Sequence, residues 1–254
     1  MLKDLSVQEL SLTMASLANA AYTDDCSIHF SALGLNTYQF MSNQGAHGHL
    51  AAGDTEIIIT FRGTNPSHIS DLLADANALP VHDDNGFVHD GFKTYALHLM
   101  QTVLNFVWAN GGKTKDIYIT GHSLGAAMAL YCARELQDNG YTVKQLISFG
   151  QPRLANKAYV DSIKAPHLRF VNCNDIITTV PPVEIGYRHH GQLCYINFYG
   201  NIRPVTWWQR FKDKWRNHYH SWLKGKFFDS LEDHMMGGYI AKLQNVLSTN
   251  QSID

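Results

Sequence analysis

Long apolar runs, paired cysteines and a dominant charge are all missing from this 254-residue sequence. No window approaches the roughly 18 consecutive apolar residues that a membrane-spanning helix requires, so none is predicted. The four cysteines, Cys26, Cys132, Cys173 and Cys194, fall without C-x-x-C spacing, which predicts reduced, structural thiols. A formal net charge of -2 offers nucleic acid no general attraction, and no nucleic-acid partner is expected. Neither G-x-G-x-x-G nor a phosphate-loop pattern occurs, so no nucleotide cofactor is expected. Fourteen histidines are present, among them His47-x-His49, His189-His190 and His218-x-His220. None has Cys or carboxylate partners at a characteristic ligand spacing, and the expectation is no metal and no cofactor. The opening "MLKDLSVQEL" has neither a basic n-region nor an apolar h-region, which predicts a cytoplasmic chain or one exported by a signal-independent route.

What is present suits a large folded core. With 45% hydrophobic and 11% aromatic residues, the chain is expected to form one α/β domain over residues 1–254. "LSVQELSLTMASLANAA" has helical apolar spacing over 5–21. "TEIIITFRGT" reads as a buried strand from Thr55 to about Arg62, because three contiguous isoleucines are β-branched. A longer helix is predicted from about Phe92 to Asn110, stopped by Gly111 and Gly112. A strand over about 116–120 leads into a helix from Leu124 to Asp138. Further strands are read in "VKQLISFGQPR", "HLRFVNCND" and "QLCYINFYG", and the tail "SLEDHMMGGYIAKLQNVL" is mostly helical. Strands alternating with helices of crossover length predict a mainly parallel central sheet with helices on both faces.

"DIYITGHSLGAAMAL" (116–130) carries the strongest chemical signal. Gly121, Ser123 and Gly125 form G-x-S-x-G, a tight strand-to-helix turn that holds a Ser in strained geometry above the sheet edge. The helix that follows starts with unpaired amides, so an oxyanion forming beside Ser123 would be stabilised by the Leu124 N–H. A Ser that merely caps the helix fits the bare pattern too; the strand before it and the helix after it favour a nucleophile.

A serine hydroxyl at neutral pH needs a base, and the base needs an orienting acid. "RFVNCNDIITTVPP" places Asp175 just beyond a strand ending near Asn172. "DHMMGGY" places His234 immediately before the last helix, giving the chain order Ser, Asp, His. Asp233 competes as the acid, but a sequence neighbour of His234 cannot easily reach the ring nitrogen facing away from Ser123. Asp175 is preferred, and Asp233 is expected to cap the final helix.

"FRGT" (61–64), "VHDGF" (88–92), "GHSLGAA" (121–127), "SFGQPR" (148–153), "RFVNCNDIITTVPP" (169–182) and "DHMMGGY" (233–239) together resemble the ordered motifs of class 3 lipases, the fungal triacylglycerol lipase type of α/β-hydrolase. The resemblance implies Ser123 as nucleophile, Asp175 as acid, His234 as base, and backbone amides of Thr64 and Leu124 as oxyanion donors. It implies a carboxylic-ester hydrolase acting on acyl lipids such as glycerides, with phospholipases A and feruloyl esterases as alternatives on the same triad. A catalytically silent lipid-binding module is the alternative of another class. Residues 66–79 fall where the family carries its lid, and Ile69, Leu72 and Leu73 form one narrow apolar face there. The family's secreted fungal members carry signal peptides and disulfides, features not read in this sequence.

"PVTWWQRFKDKWRNHYHSWLKGKFF" (204–228) is the least family-like segment. At helical spacing, Trp207, Trp208, Phe211 and Trp215 share an aromatic face over about 204–224, flanked by Arg210, Lys212, Lys214 and Arg216. Residues 203–226 hold seven basic side chains against Asp213, so the remainder of the chain carries a formal charge of -8. Such a face suits peripheral contact with a lipid interface, and packing of the aromatic stripe on the domain is the alternative.

Overall fold

The computed structural model describes residues 2–65, 80–202, 232–249, 251 and 253. The expected lid segment, with Ile69, Leu72 and Leu73, and the expected aromatic helix, with Trp207, Trp208, Phe211 and Trp215, lie outside the described residues.

In chain order the strands are β1 (Thr37–Asn43), β2 (Ala46–Ala52), β3 (Glu56–Phe61), β4 (Pro80–Asp83), β5 (Gly86–His89), β6 (Asp116–His122), β7 (Val143–Phe149), β8 (Ala155–Asn156), β9 (His167–Asn172), β10 (Tyr187–Arg188) and β11 (Gln192–Ile196). The α-helices are α1 (Val7–Ala20), α2 (Ser27–Ser31), α3 (Asp90–Ala109), α4 (Leu124–Asp138), α5 (Lys157–Asp161) and α6 (Met236–Ser248). Seven strands form the central sheet in the order β1-β2-β3-β6-β7-β9-β11. From β3 to β11 every pairing is parallel, while β1 and β2 join one edge as an antiparallel hairpin.

The contiguous isoleucines of β3 explain how the layers form. Ile57, Ile59 and Phe61 enter one apolar cluster with α3 and α4, whereas Ile58 enters a second cluster with α1 and α6. Strand side chains alternate, so a run buried on both faces must be apolar throughout. Helix α4 is buried nearly all round because Gly125, Ala126, Ala127, Ala129 and Ala133 let it lie close on the sheet. A capping box, with the Ser6 hydroxyl accepting from the Glu9 amide and the Glu9 carboxylate accepting from the Ser6 amide, starts α1.

The mainly parallel sheet and the principal helices fall where the sequence predicts them. Two hairpins do not announce themselves. β2, "AHGHLAA", has no β-branched residue and is held by pairing on both sides. The turn before it is tight, with Gln44 and Gly45 both at positive φ (47° and 80°), as two-residue hairpin loops require. β4 and β5 are too short for a periodic signal, yet they join β8 and β10 in a second, four-stranded sheet.

Candidate active site

The parallel strands β6, β7 and β9 end on the same edge of the sheet, and the turns leaving them assemble the site. The turn after β6 is the tightest. Ser123 has φ 58° and ψ -129°, a conformation that costs about 1–3 kcal/mol and persists only where the surroundings enforce it. They do so through missing side chains. A Cβ on Gly121 would fall 2.4 Å from the Gly125 carbonyl oxygen, and one on Gly125 would fall 2.3 Å from the Phe61 carbonyl oxygen. The Ser123 amide donates to the Phe149 carbonyl (3.0 Å), and the Ser123 carbonyl accepts from Ala126 (3.0 Å), which starts α4. Leu124 is the first residue of that helix, so its N–H has no acceptor within the helix.

Gly63, the residue before Thr64, approaches the same point shortly after β3. A Cβ on Gly63 would lie 3.1 Å from Ser123 Cβ and 2.5 Å from the His122 carbonyl oxygen. Only glycine lets the chain carrying Thr64 come this close to the elbow.

On the other side, Asp175 follows β9, and His234 lies in the turn before α6. His234 Nδ1 is 2.9 Å from both carboxylate oxygens of Asp175, and both side chains are fully buried. The carboxylate also accepts from the Ile177 amide (3.0 Å) and the Tyr239 hydroxyl (2.6 Å). Burial, followed by the Asp175 charge, raises the Tyr239 hydroxyl well above its ordinary value, so it stays protonated and donates. Gly150, after β7, lies under the pair; a Cβ there would sit 2.8 Å from Asp175 Oδ2 and from His234 Nδ1.

With Nδ1 committed to the carboxylate, the proton sits on that nitrogen and Nε2 keeps its lone pair. His234 Nε2 and Ser123 Oγ are both buried and have no hydrogen-bond partner among the described residues. Buried polar atoms are seldom left this way, and here they are an alcohol and a free imidazole nitrogen.

The structure thus brings Asp175 and His234 together, and it sets Leu124 directly after Ser123 and Gly63, the residue before Thr64, against the elbow. Asp233 does not cap the final helix. Met235 occupies that position, and the Asp233 carboxylate accepts from the Asn174 amide (3.2 Å), tying the turn that carries His234 to the Asp175 loop. A charge so close to its own imidazole in sequence finds its partner across the turn instead. His189 lies beside the acid loop, its Nε2 2.9 Å from the Thr178 carbonyl.

Sequence reasoning passes over Tyr22, His122, Asn172 and Tyr239. Asn172 donates to the Asp233 carbonyl (2.8 Å), while its own amide reaches the Tyr239 hydroxyl (3.0 Å). His122 contacts the Tyr22 hydroxyl through Nδ1 (2.7 Å) and the His234 carbonyl through Nε2 (2.6 Å). Burial, then the neighbouring His234, holds the His122 ring well below the usual imidazole range. Only its place beside Ser123 in the motif hinted at His122.

Residues 58–185 match the family described as Lipase (class 3). A lipase of Rhizomucor miehei is 36% identical over 163 residues, covering 58% of this chain and 44% of the relative. A secreted mono- and diacylglycerol lipase of Malassezia restricta is 29% identical over 181 residues, covering 64% of this chain and 58% of the relative. The chain therefore spans only about half the length of these two relatives. Among solved structures, the Rhizomucor miehei triacylglyceride lipase superposes with a TM-score of 0.64 at 27% identity, covering 76% of this chain and 82% of that one. The matched segment runs from within β3 through the elbow and past Asp175, and the shared fold is the α/β-hydrolase fold. On the strength of that match over half its length, this chain belongs to the class 3 lipase family.

Proposed function

We propose that this protein is a serine carboxylic-ester hydrolase acting on acyl lipids, with residues 1–254 as one catalytic domain. Ser123 Oγ attacks the ester carbonyl while His234 Nε2 takes its proton, and Asp175 holds the imidazole and balances the imidazolium. The Thr64 and Leu124 amides receive the oxyanion. His234 then returns the proton to the leaving alcohol, and water, activated by the same imidazole, releases the fatty acid from Ser123.

One observation carries this reading: a buried imidazole with Nδ1 bonded to a carboxylate, at the sheet edge that also holds a strained serine, with neither Nε2 nor the serine Oγ partnered among the described residues. The glyceride lipases among its relatives favour glycerides as substrates. A similar solved structure, a fungal lipase-inhibitor complex described as a model for interfacial activation, favours a lipid interface as the place of action, for which the aromatic, basic sequence over 204–224 is suited.

Labelling with a fluorophosphonate tests the assignment. Wild type should be labelled, the adduct should map to Ser123 by mass spectrometry, and Ser123→Ala should remain unlabelled. An unlabelled wild type would leave the lipid-binding module as the better reading. A labelled Ser123→Ala would mean that another residue is the nucleophile. Comparing monomeric with emulsified glycerides and phospholipids would then set the substrate class.

A further inference from the structure

Of the proposed triad, Ser123 and Asp175 each occupy the capping position of a helical turn, whereas His234 stands one residue before Met235, the cap of α6. His234 sits in the turn over 232–235, where the Met235 amide donates to the Glu232 carbonyl (3.1 Å), and α6 begins one residue later. Such a turn does not itself fix an imidazole to the fraction of an ångström that proton transfer requires. Side chains reach its main chain from outside. Asn172, at the end of β9, donates to the carbonyl of Asp233, and His122, at the end of β6, contacts the carbonyl of His234 at 2.6 Å. β7 lies between these strands in the sheet, so the turn is gripped from both flanks.

The chemistry of the His122 contacts has a fixed direction. A carbonyl only accepts, so Nε2 of His122 carries the proton; Nδ1 of the neutral ring then accepts from the Tyr22 hydroxyl at 2.7 Å. Tyr22 reaches this position because residue 63 is glycine: a Cβ there would fall 2.4 Å from the Tyr22 hydroxyl. The two imidazoles pack with centroids 4.5 Å apart and planes tilted by 33°.

We infer that His122 is a positioning residue, a clamp that ties the main chain of the base His234 to the nucleophile elbow and is itself held in the required tautomer by Tyr22. Ser123 and its base are thereby registered through one rigid link: His122 is covalently joined to Ser123 and hydrogen-bonded to His234. The inference rests on the ester-hydrolase reading for its kinetic consequence, while the clamp is a property of the fold.

The test compares His122→Phe, which keeps a ring and loses the donor, with His122→Gln, whose side-chain amide offers a donor close to where Nε2 lies. Turnover of 4-nitrophenyl butyrate, fluorophosphonate labelling rate and thermal melting are measured on each. His122→Phe should lower kcat about 10- to 100-fold with KM little changed, the size of effect expected from slight misplacement of a base. His122→Gln should recover most of that loss, and the labelling rates should follow kcat. Wild-type kcat in folded His122→Phe, or equal losses in folded Phe and Gln forms, would overturn the clamp. Should His122→Phe fail to fold, nitrogen-15 NMR of the wild type decides: His122 should be a neutral ring protonated at Nε2 throughout about pH 5–8. An Nδ1-protonated or cationic ring would refute it. Failure of the hydrolase reading looks different, because wild type would then be neither labelled nor active, whereas the NMR result would stand.

Discussion

The two halves of the site are built by opposite means. The elbow at Ser123 is held by backbone: two glycines, a positive φ, and a strand and helix packed too tightly for any side chain between them. The turn at His234 is held by side chains arriving from distant parts of the chain, Asn172 and His122 on its carbonyls and Asp175 on its ring, with Tyr239 on Asp175 in turn. A backbone-held half tolerates no added atoms, whereas a side-chain-held half tolerates substitution in small, separable losses.

The sharpest way to break the elbow is to remove its oxygen. Ser123→Ala deletes an atom with no hydrogen-bond partner among the described residues, so the fold should persist while turnover falls about 10⁴-fold or more. Steady-state kinetics and a melting curve on the same sample check both halves of that statement. A loss of only a few-fold would show that Ser123 is not the nucleophile.

Gly125→Ala attacks the same half through space. Its new Cβ would lie 2.3 Å from the Phe61 carbonyl oxygen and 2.8 Å from the carbonyl carbons of Phe61 and Arg62. Backbone at a buried strand end has nowhere to go, so the cost should reach about 3 kcal/mol, the upper end of ordinary overpacking. For a chain of this size that is a drop in Tm of roughly 6–12 °C. If Gly125→Ala instead melted like wild type, the elbow would be looser than its geometry implies.

This contrast also explains what could be read from the sequence. Gly121, Gly125 and the β-branched run of β3 leave marks in adjacent letters, so the elbow, its strand and its helix were legible almost to the residue. Asp175 and His234 were legible because each sits at the boundary of a recognisable element. Tyr22, His122, Asn172 and Tyr239 were not, since their partners lie 61 to 112 residues away along the chain or act on backbone carbonyls that no letter distinguishes. β2 was missed for a related reason: its burial comes from neighbouring strands and not from its own composition.

On the side-chain-held half, Tyr239→Phe removes the donor to Asp175 Oδ2 and the acceptor of the Asn172 amide. A hydrogen bond to a charged group contributes about 1.5–3 kcal/mol, but Asp175 retains the Ile177 amide and the His234 ring. The expected result is a fall in kcat of about 10-fold with Tm lowered by only a few degrees. A loss comparable to Ser123→Ala would mean that Tyr239, not the loop, is what positions the acid.

The smallest effect sharpens the comparison by moving to the opposite end of the sheet. His167, at the start of β9, is buried, with Nε2 2.7 Å from the Ser148 hydroxyl and Nδ1 3.1 Å from His190 Nδ1. Burial first, then the charges of His190, Arg169 and His189, hold it well below the ordinary value of 6.5, so the folded protein keeps the ring neutral. As pH falls below about 6.5 the unfolded chain takes up a proton that the folded one refuses, and stability declines by up to about 1.4 kcal/mol per pH unit for each such histidine. His122 shares this direction, but its ring also serves the base, so replacing it changes turnover as well. His167→Gln should therefore flatten the fall of Tm between about pH 7 and 5 while leaving kcat at neutral pH near wild type. Parallel melting profiles for wild type and His167→Gln would show that the His167–His190 pair accepts its proton in the folded state.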